Sequence, residues 1–369
     1  MDWSPQQDQA LTETADWLRK KGGKQVFRLF GFAGTGKTTL ARHLAEGIDG
    51  DVAFGAFTGK AAHVLRQKGC ADASTIHSLI YRPRANKNEE DEEEAGPQFA
   101  INRDSPAAKV DLIIIDECSM VDEDLGRDLL SFGKKVLVLG DPAQLPPVKG
   151  GGFFTEAEPD VMLTEVHRQA QDNPIVRMSM TIRDGGELEL GEYGESRVIN
   201  KRQIDKEQIL ASDQVLVGTN KTRRQYNGRI RELMEFTTQM PAVGDKLVCL
   251  RNDKTKGLLN GGLWTVKRLR PPRGNTIRFD VASEDDTKTS VAVKVLPAMF
   301  EDGGDQLPYA IRRRADEFDF GYALTVHKSQ GSQWDNVVLF DESWAFREHK
   351  QRWLYTAVTR AAEQITVVR

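Results

Sequence analysis

An α/β fold built on parallel sheets is predicted by three features of this 369-residue sequence. Leu112–Ile115 and Val136–Leu139 are continuous apolar runs leading straight into polar residues, the pattern of strands covered on both faces. Residues 26–58 read as strand, Gly-rich turn, helix, strand. Hydrophobic residues make up 39% and charged residues 29%, a globular balance in a chain long enough for two or three domains.

The elements follow in order. Val26–Phe30 is the first strand, Gly31 to Gly36 the turn, Lys37 to about Glu46 the helix, and Val52–Ala56 a second strand. Between Arg82 and Lys109 the texture changes. Pro83, Pro97 and Pro106 punctuate it, and Glu89 to Glu94 is a run of acids, so a small hairpin insertion with a solvated acidic loop is expected. A second α/β unit begins near Val161, with strands at Gln214–Val217, Val337–Phe340 and Ile365–Val368 and a helix at Lys221–Phe236. Residues 241–314 interrupt it with turn signals flanking short β-rich runs: Gly244-Asp245, Asn260-Gly261-Gly262 and Pro271 to Asn275. That is a small β-barrel pattern, with Trp264 read as a core residue. No internal repeat is evident.

Charge and cysteines bound the function. Lys and Arg number 51 against 55 Asp and Glu, a net charge of −4, which excludes histone-like binding by bulk charge and leaves room for a local basic groove. Cys70, Cys118 and Cys249 are odd in number and widely spaced, forming neither a disulfide framework nor a zinc site, so a reducing, cytoplasmic setting is expected. No apolar run approaches the roughly 18 residues that span a bilayer, and Met1 to Pro5 lacks the features of a secretory leader.

Gly31-Phe32-Ala33-Gly34-Thr35-Gly36-Lys37-Thr38 matches G-x-x-x-x-G-K-[ST] in full, after a predicted strand and at the start of a predicted helix. Its glycines let successive N–H groups face a phosphate, and the helix N-terminus adds partial positive charge. Gly34, Thr35, Gly36, Lys37, Thr38 and Thr39 are therefore expected against a nucleotide, with Lys37 on the outer phosphates and the Thr38 hydroxyl on Mg²⁺. Asp116 and Glu117 end the Leu112–Ile115 run. Asp116 is expected to hold Mg²⁺ and Glu117 to position or deprotonate water. Gln144, in Gly140-Asp141-Pro142-Ala143-Gln144, has an amide that can both donate to a γ-phosphate and accept from water.

The order of these segments resembles the superfamily 1 helicases of the Dda-type and RecD-type group. Ser4 to Ala10 looks like that family's adenine-reading motif, with Gln7 the best positional match. Phe57 to Ala62, Asp116 to Met120, Gly140 to Pro147, Leu163 to Gln169, Ala323 to Gly331 and Leu354 to Ala361 resemble its later motifs, so the resemblance spans residues 4–364. It implies two RecA-like P-loop domains, the first 1–81 and 109–160, the second 161–240 and 315–369. An inserted hairpin at 82–108 and an SH3-like β insertion at 241–314 complete them. It further implies that Arg168 and Arg360 reach the γ-phosphate as arginine fingers, with ATP and Mg²⁺ as cofactors. A single-stranded DNA track would be lined by Thr58, Lys60, Thr75 and His77 and by Thr325, His327 and Ser329, with Asn220 a weaker candidate.

Two places depart from the family pattern, Phe57 and the acidic insertion, which falls where family members carry a strand-separating hairpin. Phe57 stands where related sequences often have proline, and core filling is the favoured reading over base stacking. Phe99 is either a strand-separation pin or an anchor for the acidic insertion, and Arg312 to Arg314 is either a DNA-backbone contact or a solvated turn.

The function expected is an ATP-dependent DNA helicase moving on single strands, 5′→3′ by resemblance, and acting at single-strand/duplex junctions as a monomer without membrane association. Compact length suggests a stand-alone motor, cytoplasmic or in a host cytoplasm if phage-encoded. A DNA-stimulated translocase that does not unwind is the first alternative. A P-loop small-molecule kinase or transferase is a second, and a non-catalytic nucleic-acid binder with a decayed nucleotide site a third.

Overall fold

A computed structural model describes residues 3–83, 99–147, 151–165, 172–285, 289–301 and 307–369. The acidic run at 89–94 lies outside the described residues. The chain divides into two compact units, residues 1–82, 101–201 and 330–369 forming one, and 83–100 with 202–329 the other.

The first unit is built on a six-stranded parallel sheet. Its strand order is Ser74–Thr75, Val52–Ala56, Leu112–Asp116, Lys135–Gly140, Val26–Gly31 and Val161–Leu163. The central strands send alternate residues to opposite faces. Ile113, Ile115, Val136 and Val138 enter one core with Phe154 and Leu129, while Leu112, Ile114, Leu137 and Leu139 enter another with Leu40 and Trp17. This is why those runs read as continuously apolar. Val161–Leu163 pairs parallel with Val26–Gly31, so the first sheet continues past the boundary drawn at residue 160. A three-residue edge strand is too short to show a period.

The Pro5–Arg19 helix starts with Pro at its first turn and a reciprocal capping box between Ser4 and Gln7, and it buries Ala10, Thr14 and Trp17. The same unit also holds Trp334–Phe340, Ala361–Val368 and Ser196–Ile199 as parallel neighbours, with Gly191–Tyr193 antiparallel at the edge. The Lys350–Val358 helix packs against that layer with Trp353 and Tyr355 fully buried.

The second unit contains Gln214–Val217 paired parallel with Ala323–Thr325, and the Asn220–Leu233 helix. It also contains a five-stranded antiparallel sheet ordered Ser290–Val295, Thr276–Ser283, Leu263–Arg273, Lys246–Cys249 and Phe318–Phe320. Trp264 is buried in its core, edge-on to Phe318 at 6.5 Å. The fifth strand lies past residue 314, where the β-rich texture ends in the sequence. Phe318-Asp319-Phe320 alternates correctly but over too few residues to be read as a strand.

Candidate active site

The Val26–Gly31 strand ends in a loop that only glycine permits at key points. Gly34 and Gly36 adopt φ of 79° and 80°, and a Cβ on Gly31 would lie 2.6 Å from the Thr35 hydroxyl. Thr35 is buried and donates to the Phe32 carbonyl at 2.9 Å, tightening the turn. The Lys37–Glu46 helix follows directly, its N-terminus left without a side-chain cap. Lys37 folds back over the loop, its Nζ donating to the carbonyls of Gly31 (2.7 Å) and Phe32 (2.9 Å). A positive charge thus stands at the cradle.

Thr38 Oγ1 donates to Asp116 Oδ2 at 2.8 Å, so a hydroxyl and a carboxylate 78 residues apart form one pair. Burial pushes the Asp116 carboxyl above its ordinary range, and neighbouring Glu117 adds to the rise. This donor set, hard oxygen ligands beside a phosphate cradle, fits Mg²⁺. Glu117 takes a left-handed backbone (φ 53°, ψ 48°), and its N–H donates to Asp116 Oδ1 at 2.9 Å. Strain of that kind in a non-glycine residue concentrates where a side chain must be aimed.

The turn after Lys135–Gly140 is closed by Asp141, which accepts from Ala143 N (3.0 Å) through its side chain and from Gln144 N (3.1 Å) through its carbonyl. Gln144 is buried, yet its Oε1 has no hydrogen-bond partner among the described residues. Buried amide oxygens are normally satisfied, so this acceptor awaits a donor from solvent or ligand. Arg360 follows the Lys350–Val358 helix and is 5% exposed. Its guanidinium donates to Thr356 O, Ser332 O and Thr359 Oγ1 at 3.1–3.2 Å, all neutral acceptors. A buried cation without a carboxylate is costly unless an anion completes its environment.

Lys37, Thr38, Asp116, Glu117, Gln144 and Arg360 all line one cavity of about 320 Å³ within the first unit, a volume suited to a small ligand. Gly34, Gly36 and Thr39 line it as well. Arg168 lies outside the described residues.

Gln7 lies against the phosphate loop. It is buried, its Nε2 donating to Thr35 O (3.0 Å) and its Oε1 accepting from Ser4 N (3.1 Å). One N–H and the oxygen of the amide are thus engaged, and Gln7 braces the phosphate loop through Thr35. Its neighbour Gln6 accepts from Thr164 N and Glu165 N at 2.8 and 2.9 Å, tying down the segment that runs toward Arg168.

One link was not legible in the sequence. The Tyr355 hydroxyl donates to Asp141 Oδ2 (2.6 Å) and accepts from Ala33 N (3.1 Å), while Thr356 Oγ1 accepts from Leu145 N (2.9 Å). The helix preceding Arg360 is thereby bonded to both the phosphate loop and the Gln144 turn. Burial pushes the Tyr355 hydroxyl and the Asp141 carboxyl up. Tyr355 reads in sequence as one more apolar helix residue, and no spacing marks its partner.

The expected DNA contacts fall into two groups. In the first unit Ala56 pairs with Thr75, so Thr58, Lys60, Thr75 and His77 follow neighbouring parallel strand ends. Thr58 and Thr75 cap the helices after them, accepting from Ala61 N and Ser78 N at 3.1 Å. His77 is exposed between the rings of Phe57 and Tyr81, and Phe57 packs against the core as expected. In the second unit Val217 pairs with Thr325, which brings Asn220, Thr325 and His327 to adjacent strand ends.

Ser329 departs from the expected surface position. It is fully buried, and its hydroxyl donates to Val326 O at 2.8 Å, closing a turn instead of facing a strand. Thr325 is nearly as buried and accepts from Lys328 N at 3.3 Å. Phe99 opens the Phe99–Ile101 strand and is 50% exposed. Arg312 is ion-paired with Glu317 at 3.0 Å.

Residues 3–204, more than half of the chain, match the family model for an AAA domain, and residues 320–368 match that for a UvrD-like helicase C-terminal domain. The ATP-dependent RecD2 DNA helicase of Deinococcus radiodurans is 29% identical over 376 residues, covering 95% of this chain and 48% of that protein. The chain thus spans about half the length of that curated relative. Among solved structures, that of two coordinating Pif1 helicases unwinding forked dsDNA superposes with a TM-score of 0.60 at 18% identity, over 99% of this chain and 92% of that one. Pif1 helicase from Bacteroides in complex with ADP-AlF3 and ssDNA gives 0.58 at 19% identity, over 100% and 92%. These two likenesses establish a shared mixed α/β fold.

Proposed function

The chain belongs to the AAA domain family, with a UvrD-like helicase segment that agrees with the superfamily 1 resemblance, and from that premise we propose an ATP-dependent DNA helicase translocating on single-stranded DNA. The observation that carries this reading is the cavity in which a phosphate loop, a Thr38–Asp116 pair, a strained Glu117 and an Arg360 bonded to neutral acceptors meet. A small-molecule kinase needs no buried arginine of that kind on a segment matching a helicase C-terminal domain.

In this reading the loop N–H groups and Lys37 hold the β and γ phosphates, which releases the Lys37 ammonium from the loop carbonyls. Thr38 and Asp116 would hold Mg²⁺, which when bound neutralises phosphate charge. Glu117 orients water in line with the γ-phosphate and takes up its proton. Arg360 stabilises the charge that develops on the equatorial oxygens, and Arg168 is assigned the same role from the resemblance. Gln144, with its unpartnered Oε1, accepts from that water and reports the γ-phosphate to the rest of the chain.

Thr58, Lys60, Thr75, His77, Asn220, Thr325 and His327 are proposed for the strand track, where hydroxyls and amides grip phosphates without reading sequence. Ser329 would act only through its turn. The proposed architecture is two RecA-like domains with a hairpin insertion and an SH3-like insertion, the last supported by the five-stranded antiparallel sheet. Also proposed are 5′→3′ movement, action at single-strand/duplex junctions, and a monomer. Three buried free thiols support a reducing, cytoplasmic setting, and among the described residues no helix is long and apolar enough to cross a membrane.

The test is steady-state ATP hydrolysis with and without oligo-dT, beside Lys37→Ala and Arg360→Ala. Stimulation by DNA that both variants abolish is the expected result, and tailed duplexes then report unwinding and polarity. Hydrolysis indifferent to DNA would return the kinase reading to the front. Stimulated hydrolysis without unwinding would mean a translocase.

A further inference from the structure

The antiparallel sheet of the second unit has one face committed to a core, with Phe279, Val281, Val293 and Val295 buried there. Period-2 alternation sends the intervening residues outward. The register then places Arg270 directly opposite Arg278, and Arg278 directly opposite Lys294. Three cations stand in one row across three adjacent strands.

Side chains so placed have Cβ atoms about 5 Å apart, and like charges there work against the fold. The next row, Arg268–Asp280–Ala292, holds a single acid, already engaged by Arg268 Nη2 (2.8 Å) and Arg270 Nε (2.5 Å). Arg278 and Lys294 have no ion pair among the described residues. The hairpin tip just beyond adds an exposed Arg273. In a chain of net charge −4 this concentration is local, not a consequence of bulk basicity. A self-repelling row is relieved by an anion laid across it.

We propose that this outward sheet face binds the phosphate backbone of double-stranded DNA. Two features select the duplex. The outward positions of these strands (Arg268, Arg270, Arg278, Ala282, Ala292 and Lys294 among them) include no aromatic side chain, so unpaired bases have nothing to stack on. A duplex hides its bases and offers one negative charge per about 1.7 Å of axis, enough to meet several cations at once. The inference rests on the DNA-acting reading for its occupant and adds a second contact, separate from the residues proposed to grip the single strand.

The experiment uses the full chain, a fluorescein-labelled blunt duplex of about 20 base pairs, and anisotropy titrations between about 50 and 200 mM salt. Arg278→Gln combined with Lys294→Gln removes two cations whose side chains enter no ion pair among the described residues. The slope of log K against log salt is expected to shrink by about 2, with affinity at the lower salt falling roughly tenfold. The melting temperature holds or rises because the repulsion is gone, and oligo-dT-stimulated ATP hydrolysis stays within about twofold. A parent that does not bind the duplex, or a variant with the parent's slope and affinity, overturns the proposal. Loss of polyglutamate binding with duplex binding kept also overturns it, assigning the face to acidic peptides. A parent whose hydrolysis ignores DNA, but whose duplex binding still depends on Arg278 and Lys294, refutes the helicase reading and supports this one.

Discussion

Tyr355→Phe removes one oxygen and nothing else. The ring is 1% exposed, and phenylalanine refills its volume, so no cavity opens. Lost are a bond donated to the 2%-exposed Asp141 at 2.6 Å and one accepted from Ala33 N at 3.1 Å. A hydrogen bond to a charged group contributes about 1.5–3 kcal/mol and a neutral one about 1 kcal/mol, so the variant should lose about 3 kcal/mol. For a cooperative unit of this size that corresponds to a melting temperature roughly 6–12 °C lower. Thermal melts by circular dichroism, with urea titrations beside them, read this directly. The pair is then isolated by a cycle with Asp141→Ala. Because each single change already breaks the shared bond, the double variant should fall short of additivity by about 1–3 kcal/mol. A Tyr355→Phe protein melting with the parent, or a strictly additive cycle, would refute the claim that this hydroxyl couples the phosphate loop to the Gln144 turn.

Gly331→Ala should destabilise by about 1–3 kcal/mol, because Gly331 holds φ of 78° and a Cβ there would meet Ala61 Cβ at 2.8 Å. A melt matching the parent would show that this wall of the cavity can retreat. All three cysteines are buried, and burial pushes the Cys249 thiol up to about 12. Ellman's reagent at mild alkaline pH should therefore find no fast thiol in the native protein and three after denaturation; prompt reaction would contradict this packing. Bonding to Arg270, then to Arg268, holds the Asp280 carboxyl below its ordinary value. Its folded pKa being depressed, its contribution is fully present above the ordinary carboxylate range and is lost as pH falls through the folded value. Carboxyl NMR titration should show Asp280 moving back toward the ordinary range in Arg270→Gln, and no movement would discount the pair.

Much of the site was legible because its chemistry is local in the chain. Gly34, Gly36, Lys37 and Thr38 fall within five successive positions at a strand-to-helix junction, and backbone stereochemistry leaves such a loop few residue choices. Asp116 and Glu117 were legible because a strand buried on both faces reads as an unbroken apolar run, and its first acids mark where it surfaces. The antiparallel sheet announced itself through turn glycines and alternation, and Trp264 through its bulk. Tertiary structure decided what spacing does not encode. Gln7 matches a base-reading position in sequence, yet folding turns its amide inward to Thr35 and Ser4. Ser329 looks like a surface hydroxyl until its turn closes and buries it. The three-residue strands Val161–Leu163 and Phe318–Phe320 are shorter than any period that could reveal them, and only pairing makes them strands. Tyr355 meets Ala33 of the phosphate loop across 322 residues of chain and Asp141 across 214, and the Arg270–Arg278–Lys294 row exists only in one register of three strands. Residue type and local stereochemistry set which chemistry each segment can carry. Which groups face one another depends on long-range pairing and burial, and those are properties of the folded chain alone.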